Sequence, residues 1–292
     1  MIGWDSYAWV LTLIAGGVCL GGLLQFWGRQ RGWEGLGLFL LLSATGVWAV
    51  AYAVLLKVPD LAGKILFFKV QILGVAAVPP GVLLLSLAYA GYEKWTGLRN
   101  YLLLLALWAV VVALTWTTES HQLMVREFWL EPGSPVLRFK GGPAFWGLLI
   151  VYPLLLIGFC AALLLKRLPQ VRGESRVWIG RFLIALAVPS LSVLAWVSGL
   201  ISPRHPDPTP FLLIVPGLLF TYSLYRQEGS ESVDLAADPT AVELDFKLRV
   251  ARAMMPVIVP IFFVFAFAGV FRGDHLVAGL LGLLLSTLVA GL

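Results

Sequence analysis

Gly35-Leu-Gly-Leu-Phe-Leu-Leu-Leu-Ser-Ala-Thr-Gly-Val-Trp-Ala-Val-Ala-Tyr-Ala-Val-Leu-Leu56 decides the fold. It holds no charged residue and is apolar on every helical face. A helix rises about 1.5 Å per residue, so roughly 20 such residues cross the hydrocarbon of a bilayer. Barrel strands would alternate apolar and polar positions, and this stretch does not. The same pattern recurs at Tyr7–Trp27, Ile65–Tyr92, Tyr101–Trp116, Phe145–Leu165, Phe182–Ile201, Phe211–Tyr225, Met254–Phe271 and Leu276–Leu292. Composition agrees: 60% of residues are hydrophobic and 13% are charged, against about a quarter charged in soluble domains. Mean hydropathy is +0.90. The fold class is all-α, a polytopic transmembrane helix bundle.

Lys and Arg set the orientation. With the N-terminus outside, the inner loops carry Arg29, Arg31, Lys94, Arg99, Lys166, Arg167, Arg172, Arg176, Arg181, Arg226, Lys247, Arg249 and Arg252. The outer loops carry only Lys57, Lys64, Arg126, Arg138, Lys140, Arg204 and Arg272. The expectation is a multi-pass protein of the inner (plasma) membrane with its N-terminus outside and its C-terminus cytoplasmic. Met-Ile-Gly-Trp-Asp lacks the basic start of a cleaved signal peptide, so the first helix is expected to stay. The net charge of +5 suits inner loops facing anionic lipid and gives no sign of a nucleic-acid partner. Cys19 and Cys160 lie within spans as small apolar residues, without metal-ligand spacing.

The chain divides into a seven-helix block at 1–226, a cytoplasmic linker at 227–253 and a two-helix hairpin at 254–292. In the linker, Asp238-Pro239 reads as a helix start. Val242, Leu244, Phe246, Leu248 and Val250 instead alternate with charged residues, and helix and strand both remain open. The longest outer loop runs from Thr117 to Ala144, with a turn at Pro132-Gly133-Ser134-Pro135. Its length allows it to fold over the outer mouth of the bundle.

Candidate ligand-binding groups are Lys69, Gln71, Trp116, His121 and Asp207. Lys69 is the one ionisable residue inside a span. It lies a single turn from the outer boundary, where ligand contact, snorkelling and structural pairing are all open to it. Gln71 can bond a polar ligand or a neighbouring helix. Trp116 suits an aromatic belt at the interface as well as a ligand. His121, His205 and His275 all fall outside, without metal spacing. Asp207 is placed to cap the seventh span, with Thr209 as helper. Pro79-Pro80 and Pro189 sit within spans, where proline bends a helix. Gly17-Val-Cys-Leu-Gly21 has the spacing that allows close helix approach.

Catalytic signatures are absent from the sequence. It has no P-loop, no Gly-x-Ser-x-Gly elbow and no His-Glu-x-x-His. Phe211–Tyr225 has no lysine for a retinal Schiff base. No Asp or Glu lies within a span to carry protons or cations. No cofactor and no metal are implied.

Four motifs carry a family resemblance over Tyr7 to Arg226. They are Gln71-Ile-Leu-Gly74 with Pro79-Pro80 and Tyr89; Thr117-Thr118-Glu119-Ser120-His121; Pro143 with Trp146 and Tyr152; and Asp207-Pro208-Thr209-Pro210-Phe211. Their order and placement resemble the seven-helix N-terminal sensor region of bacterial histidine kinases, also found on some diguanylate cyclases. Thr118 departs from the pattern, which usually has asparagine there. The resemblance implies a sensor in a two-component system: a receptor for an unknown small ligand, a cytoplasmic output domain such as a histidine kinase following Leu276–Leu292, and a homodimer. A transporter or channel for a small or lipid-like solute is the alternative. It predicts polar groups on broken helices at the midplane, and the sequence offers few.

Overall fold

The computed structural model describes residues 5–26, 32–92, 95, 97–132, 134–200, 205–212, 215 and 219. The linker at 227–253, the hairpin at 254–292, His275 and most of Phe211–Tyr225 lie outside the described residues. Among the described residues there are six long helices: α1 (Asp5–Phe26), α2 (Gly32–Lys57), α3 (Leu61–Ala90), α4 (Leu98–Trp116), α6 (Tyr152–Arg167) and α7 (Glu174–Val197). A short α5 (Thr118–His121) follows α4, and α8 (Thr209–Leu212) begins the seventh segment. Among the described residues, five helical stretches are long and apolar enough to cross a membrane. Their outward side chains, among them Leu103, Leu155, Phe159 and Leu191, are exposed apolar groups of the kind that face lipid.

Lipid is as apolar as leucine, so helices in a membrane associate by close van der Waals contact rather than by escape from water. The most extensive helix pair is α2 with α3, and it depends on glycine. A Cβ on Gly74 would stand 2.6 Å from the Trp48 amide nitrogen, and one on Gly81 3.0 Å from that of Leu41. Gly37 reciprocates, meeting the Leu85 amide nitrogen at 2.9 Å. The α1–α2 contact runs over Gly16 against Val50 and Gly46 against Leu20. Hydroxyls within these spans turn back onto their own helix: Thr12 donates to the Ala8 carbonyl at 2.7 Å and Thr45 to that of Leu41 at 2.9 Å.

The third helix is longer than expected at its start. Asp60 caps it, its Oδ2 accepting from the Gly63 amide at 2.7 Å. Gly91 closes it at φ 79°, a left-handed conformation that glycine adopts without steric cost. At 30 residues it is about 45 Å long, well beyond the roughly 30 Å of hydrocarbon. The surplus carries Lys64, Phe68 and Lys69 up to the long loop. Lys64 counted in the sequence as a loop cation. It is buried instead, its Nζ donating to the Leu55 carbonyl at 2.7 Å and the Pro135 carbonyl at 2.6 Å. The α7 helix, which forms the sixth expected span, also starts before the expected Phe182. Trp178 and Ile179 are buried, and Arg176 and Arg181 are accommodated within the helix.

The loop folds as an antiparallel β-hairpin, β1 (Val125–Leu130) with β2 (Leu137–Gly141). This is a small departure from an all-helical reading. Phe128 pairs with Phe139, Trp129 with Arg138, and a bulge lies between Val125 and Glu127. Phe68 of α3 meets both phenylalanines, with ring centroids 5.4 Å and 5.1 Å away. Phe139 continues the chain of rings to Phe145 at 5.0 Å. The hairpin is thereby seated on the bundle by aromatic packing.

After the hairpin the chain forms a π-helical turn, Phe145–Val151, that runs into α6. The Tyr152 amide bonds the Gly147 carbonyl, five residues back, and Pro153 has no amide to offer. Such turns concentrate at functional sites. At the opposite, basic end the helices close over Leu42, Leu85, Leu164, Ile179 and Phe182. There Tyr89 of α3 stacks on Trp178 of α7 at 5.4 Å.

Gly74→Val is expected to lower thermal stability by about 1–3 kcal/mol, because the valine forces α3 away from α2. Gly158 of α6 has nothing within 4 Å of an added Cβ, so Gly158→Ala is the control. Thermal unfolding in one detergent compares the two, and equal melting temperatures would show that close approach does not hold this pair.

Candidate functional site

A cavity of about 520 Å³ lies beneath the β-hairpin. Its roof is Trp129, Val136, Leu137, Arg138 and Phe139. Trp48, Tyr52 and Leu55 of α2 form one wall, and Phe68, Gln71, Ile72 and Val75 of α3 another. Phe145, Trp146, Leu149 and Ile150 enter from the π-helical turn, and Val193, Trp196 and Val197 from α7. Gly199, His205 and Asp207 complete it from the segment before α8. Trp48 and Tyr52 are four residues apart, as are Phe68 and Ile72, so each pair shares one helix face.

The polar groups of this chamber differ in how they are satisfied. Arg138 donates through Nε and Nη2 to Glu131 Oε1, at 3.1 Å and 2.8 Å. Asp207 Oδ1 accepts from the Thr209 amide at 2.9 Å and from the Thr209 hydroxyl at 2.7 Å, starting α8. Thr209 Oγ1 also lies 3.0 Å from Ser192 Oγ, tying α8 to α7. The Asp207 amide donates to the Tyr52 hydroxyl at 2.7 Å, which joins this segment to α2. Burial raises the Asp207 carboxyl above its usual pKa, outweighing the two bonds from Thr209 that act downward. Trp48 Nε1 and Gln71 Oε1 are buried without a hydrogen-bond partner among the described residues. Leaving such an atom unpaired costs about 1–3 kcal/mol.

Of the five sequence candidates, Gln71 and Asp207 lie in the chamber wall. Lys69, Trp116 and His121 lie together outside its lining, around the end of α4. Lys69 Nζ bonds Glu119 at 2.5 Å and donates to the Trp116 carbonyl at 3.3 Å. That bond from Lys69 holds the Glu119 carboxyl below the usual range. His121 Nδ1 accepts from the Leu123 amide at 3.0 Å, which leaves Nε2 to carry the proton and donate to Thr117 Oγ1, also at 3.0 Å. Thr117 in turn donates to the Ala113 carbonyl at 2.7 Å. Trp48, Tyr52, Arg138 and Trp196 of the chamber were not singled out from the sequence. The helix-face spacing of Trp48 with Tyr52 was the signal for the first pair. Arg138 and Trp196 had none short of the folded hairpin and the placement of α7.

The family described as the N-terminal 7TM region of histidine kinase matches residues 11–231. The chain belongs to this family. Its seven-helix region is a membrane-embedded sensor region rather than a catalytic domain, in a multi-pass membrane protein. A comparison with curated proteins gives no match. The motifs behind the resemblance have structural roles in this 7TM region. Gln71 lines the chamber, Gly74 admits the backbone of α2, and Tyr89 braces α3 on α7. Thr118, at the position usually held by asparagine, is buried. Its hydroxyl donates to the Val125 carbonyl at 3.0 Å and accepts from the Val125 amide at 2.9 Å. A carboxamide offers the same donor and acceptor, so either residue can anchor the first strand of the roof.

Thr118→Val is accordingly expected to destabilise the protein, because both Val125 backbone groups lose their partner, whereas Thr118→Asn keeps a near-native melting temperature. A valine variant as stable as the wild type would remove this anchoring role. The pH dependence of Asp207 has a definite sign. Its folded pKa lies above the reference 3.8, so the folded state holds the proton longer than the unfolded chain. Its contribution to stability falls as pH rises from 3.8 through the folded value, and is constant above it. The melting temperature of Asp207→Asn relative to wild type should therefore increase across that window. A difference independent of pH would contradict the assignment.

Proposed function

We propose that this 7TM region receives its signal in the chamber beneath the hairpin and relays it to a cytoplasmic effector such as a histidine kinase. The observation that carries the reading is the chamber itself, a cavity of about 520 Å³ bordered at once by α2, α3, α7, the β-hairpin and the segment before α8, in a chain of a sensor family. A ligand that fills such a cavity touches all of these elements together. The hairpin end faces outward in this reading, and the basic end, with Arg99, Lys166, Arg167 and Arg172, faces the cytoplasm of a cell bounded by the plasma membrane.

Relay requires an element with two arrangements that the ligand binds unequally. The helices around the chamber are suited to this: α3 contains Pro79 and Pro80, α6 begins with Pro153 after the π-helical turn, and α7 contains Pro189. Proline frees a backbone carbonyl and weakens the helix as a rigid rod. Movement of α7 and α8 would pass to the linker at 227–253 and the hairpin at 254–292. A homodimer suits an effector that phosphorylates across subunits.

Two measurements test the reading. In intact cells, a membrane-impermeant maleimide should label Ser134→Cys of the hairpin turn and spare Arg172→Cys of the basic end; the reverse pattern would overturn the orientation. Val197→Trp fills the chamber from α7. In the full-length protein with its own output domain, this variant should fix the output at one level regardless of stimulus. Normal stimulus dependence would refute the chamber as the receiving site.

A further inference from the structure

A groove of about 290 Å³ lies across α3 from the chamber, between α2 and α4. On α2 it takes Leu40, Ser43, Ala44 and Val47, and on α4 Tyr101, Leu104, Leu105 and Trp108. Each set has the spacing of a single helix face. The floor, Ala44, Gly74, Ala77 and Pro80, is buried and carries no long side chain. The rims are larger and open. Val47 on one side is 37% exposed and Leu105 on the other 42%, so the groove is continuous with the apolar surface that faces lipid.

Two donors along it are already engaged. Ser43 Oγ donates to the Phe39 carbonyl at 2.8 Å and the Leu40 carbonyl at 3.1 Å. Trp108 Nε1 donates to the Leu73 carbonyl at 3.0 Å, which ties α4 to α3. Tyr101, in the first turn of α4, stands at the basic end, at the headgroup level that tyrosine favours. From there to Trp108 is about 11 Å along the helix axis, so the groove runs from that interface toward the midplane. Bulk water does not reach this depth to fill it, and an empty groove forfeits the contacts of its floor. A neighbouring helix is a poor filler. Helices in lipid associate by close backbone approach, and here Leu40, Leu104 and Trp108 hold a cylinder about 10 Å wide off the floor. An unbranched hydrocarbon chain reaches it.

We propose that this groove holds one acyl chain of a bilayer phospholipid, which enters from the leaflet at the basic end and lies on Gly74 and Ala77. The site is separate from the chamber and does not rest on the chamber's role. Consecutive residues divide between the two: Val47 and Gly74 border the groove, and Trp48 and Val75 border the chamber. The chain therefore packs against the outer side of the α2–α3 seam, where the glycine at 74 lets the two backbones meet.

The test uses the whole chain in nanodiscs of phosphatidylcholine brominated at the middle of its chains, since bromine quenches indole emission on contact. The emission of Trp108 is the difference between the wild type and Trp108→Phe. It should be largely lost in the wild type. It should be largely kept in Ser43→Phe, whose ring fills the groove, measured against the double variant with Trp108→Phe. Val47→Phe closes the groove from its exposed rim without loading the floor and should protect Trp108 in the same way, so a folding failure of Ser43→Phe does not decide the matter. Trp108 emission kept in the wild type overturns the proposal, because protein then covers the groove. The cover is a second copy if Val47→Phe also lowers the particle mass by light scattering, and a later span of this chain if the mass is unchanged. Emission lost alike in the wild type and the filled variants overturns it as well, because ordinary boundary lipid then reaches Trp108 without a site.

Discussion

Gly74 and Gly81 bring the backbone of α3 against that of α2, and much of the molecule is arranged by that contact. In hydrocarbon there is little to gain from hiding one apolar side chain behind another, so the depth of contact sets the strength of association. The close approach brings Trp48 and Gln71, from two helices, to the wall of the same cavity. It also fixes the height of the protruding end of α3, where Phe68 receives the hairpin and Lys64 clasps its turn. A helix pair held by large side chains would stand further apart and leave the roof without a seat.

The polar groups of the described spans follow one rule with few exceptions. The hydroxyls of Thr12, Ser43, Thr45, Thr115 and Ser190 return to their own helix, with Ser86 an exception, and Lys64 finds two carbonyls. Lys69 pairs with Glu119, and Trp108 donates to the Leu73 carbonyl at 3.0 Å, close before the paired prolines. The pairing of Lys69 and the hydrogen-bonded ring of His121 give the α4 end a structural explanation. Against that background, Trp48 Nε1 and Gln71 Oε1, buried beside the chamber without a hydrogen-bond partner among the described residues, mark a place where the fold has forgone stability. Such places are where function is expected.

The helices were legible in the sequence because a charge-free stretch of that length has few other uses. Their ends were less so. The caps at Asp60 and Gly91 are single residues, and Arg176 hid the first turns of α7 by breaking the apolar run. The hairpin escaped notice because its signal is cross-strand pairing, Phe128 with Phe139 and Trp129 with Arg138, and that appears only when the register is known. Gln71 and Asp207 were recognised as polar groups in unusual places. Trp48 looked like one more apolar residue. Its place in the chamber wall, with an N–H that has no hydrogen-bond partner among the described residues, is a property of the packed bundle and not of the sequence around it.

The bond from the Asp207 amide to the Tyr52 hydroxyl joins residues 155 positions apart. The chamber is likewise drawn from the second helix, the hairpin and the segment before α8. During synthesis, the early helices can enter the bilayer and pair while the chain is still emerging from the ribosome. The cavity they border stays open on one side until residue 207 has been delivered to the correct face of the membrane. A nascent chain arrested earlier, or one whose later helices insert upside down, would present an unsealed, water-accessible cleft to the proteases that survey membrane insertion. Completion of the chamber is thus coupled to correct topogenesis.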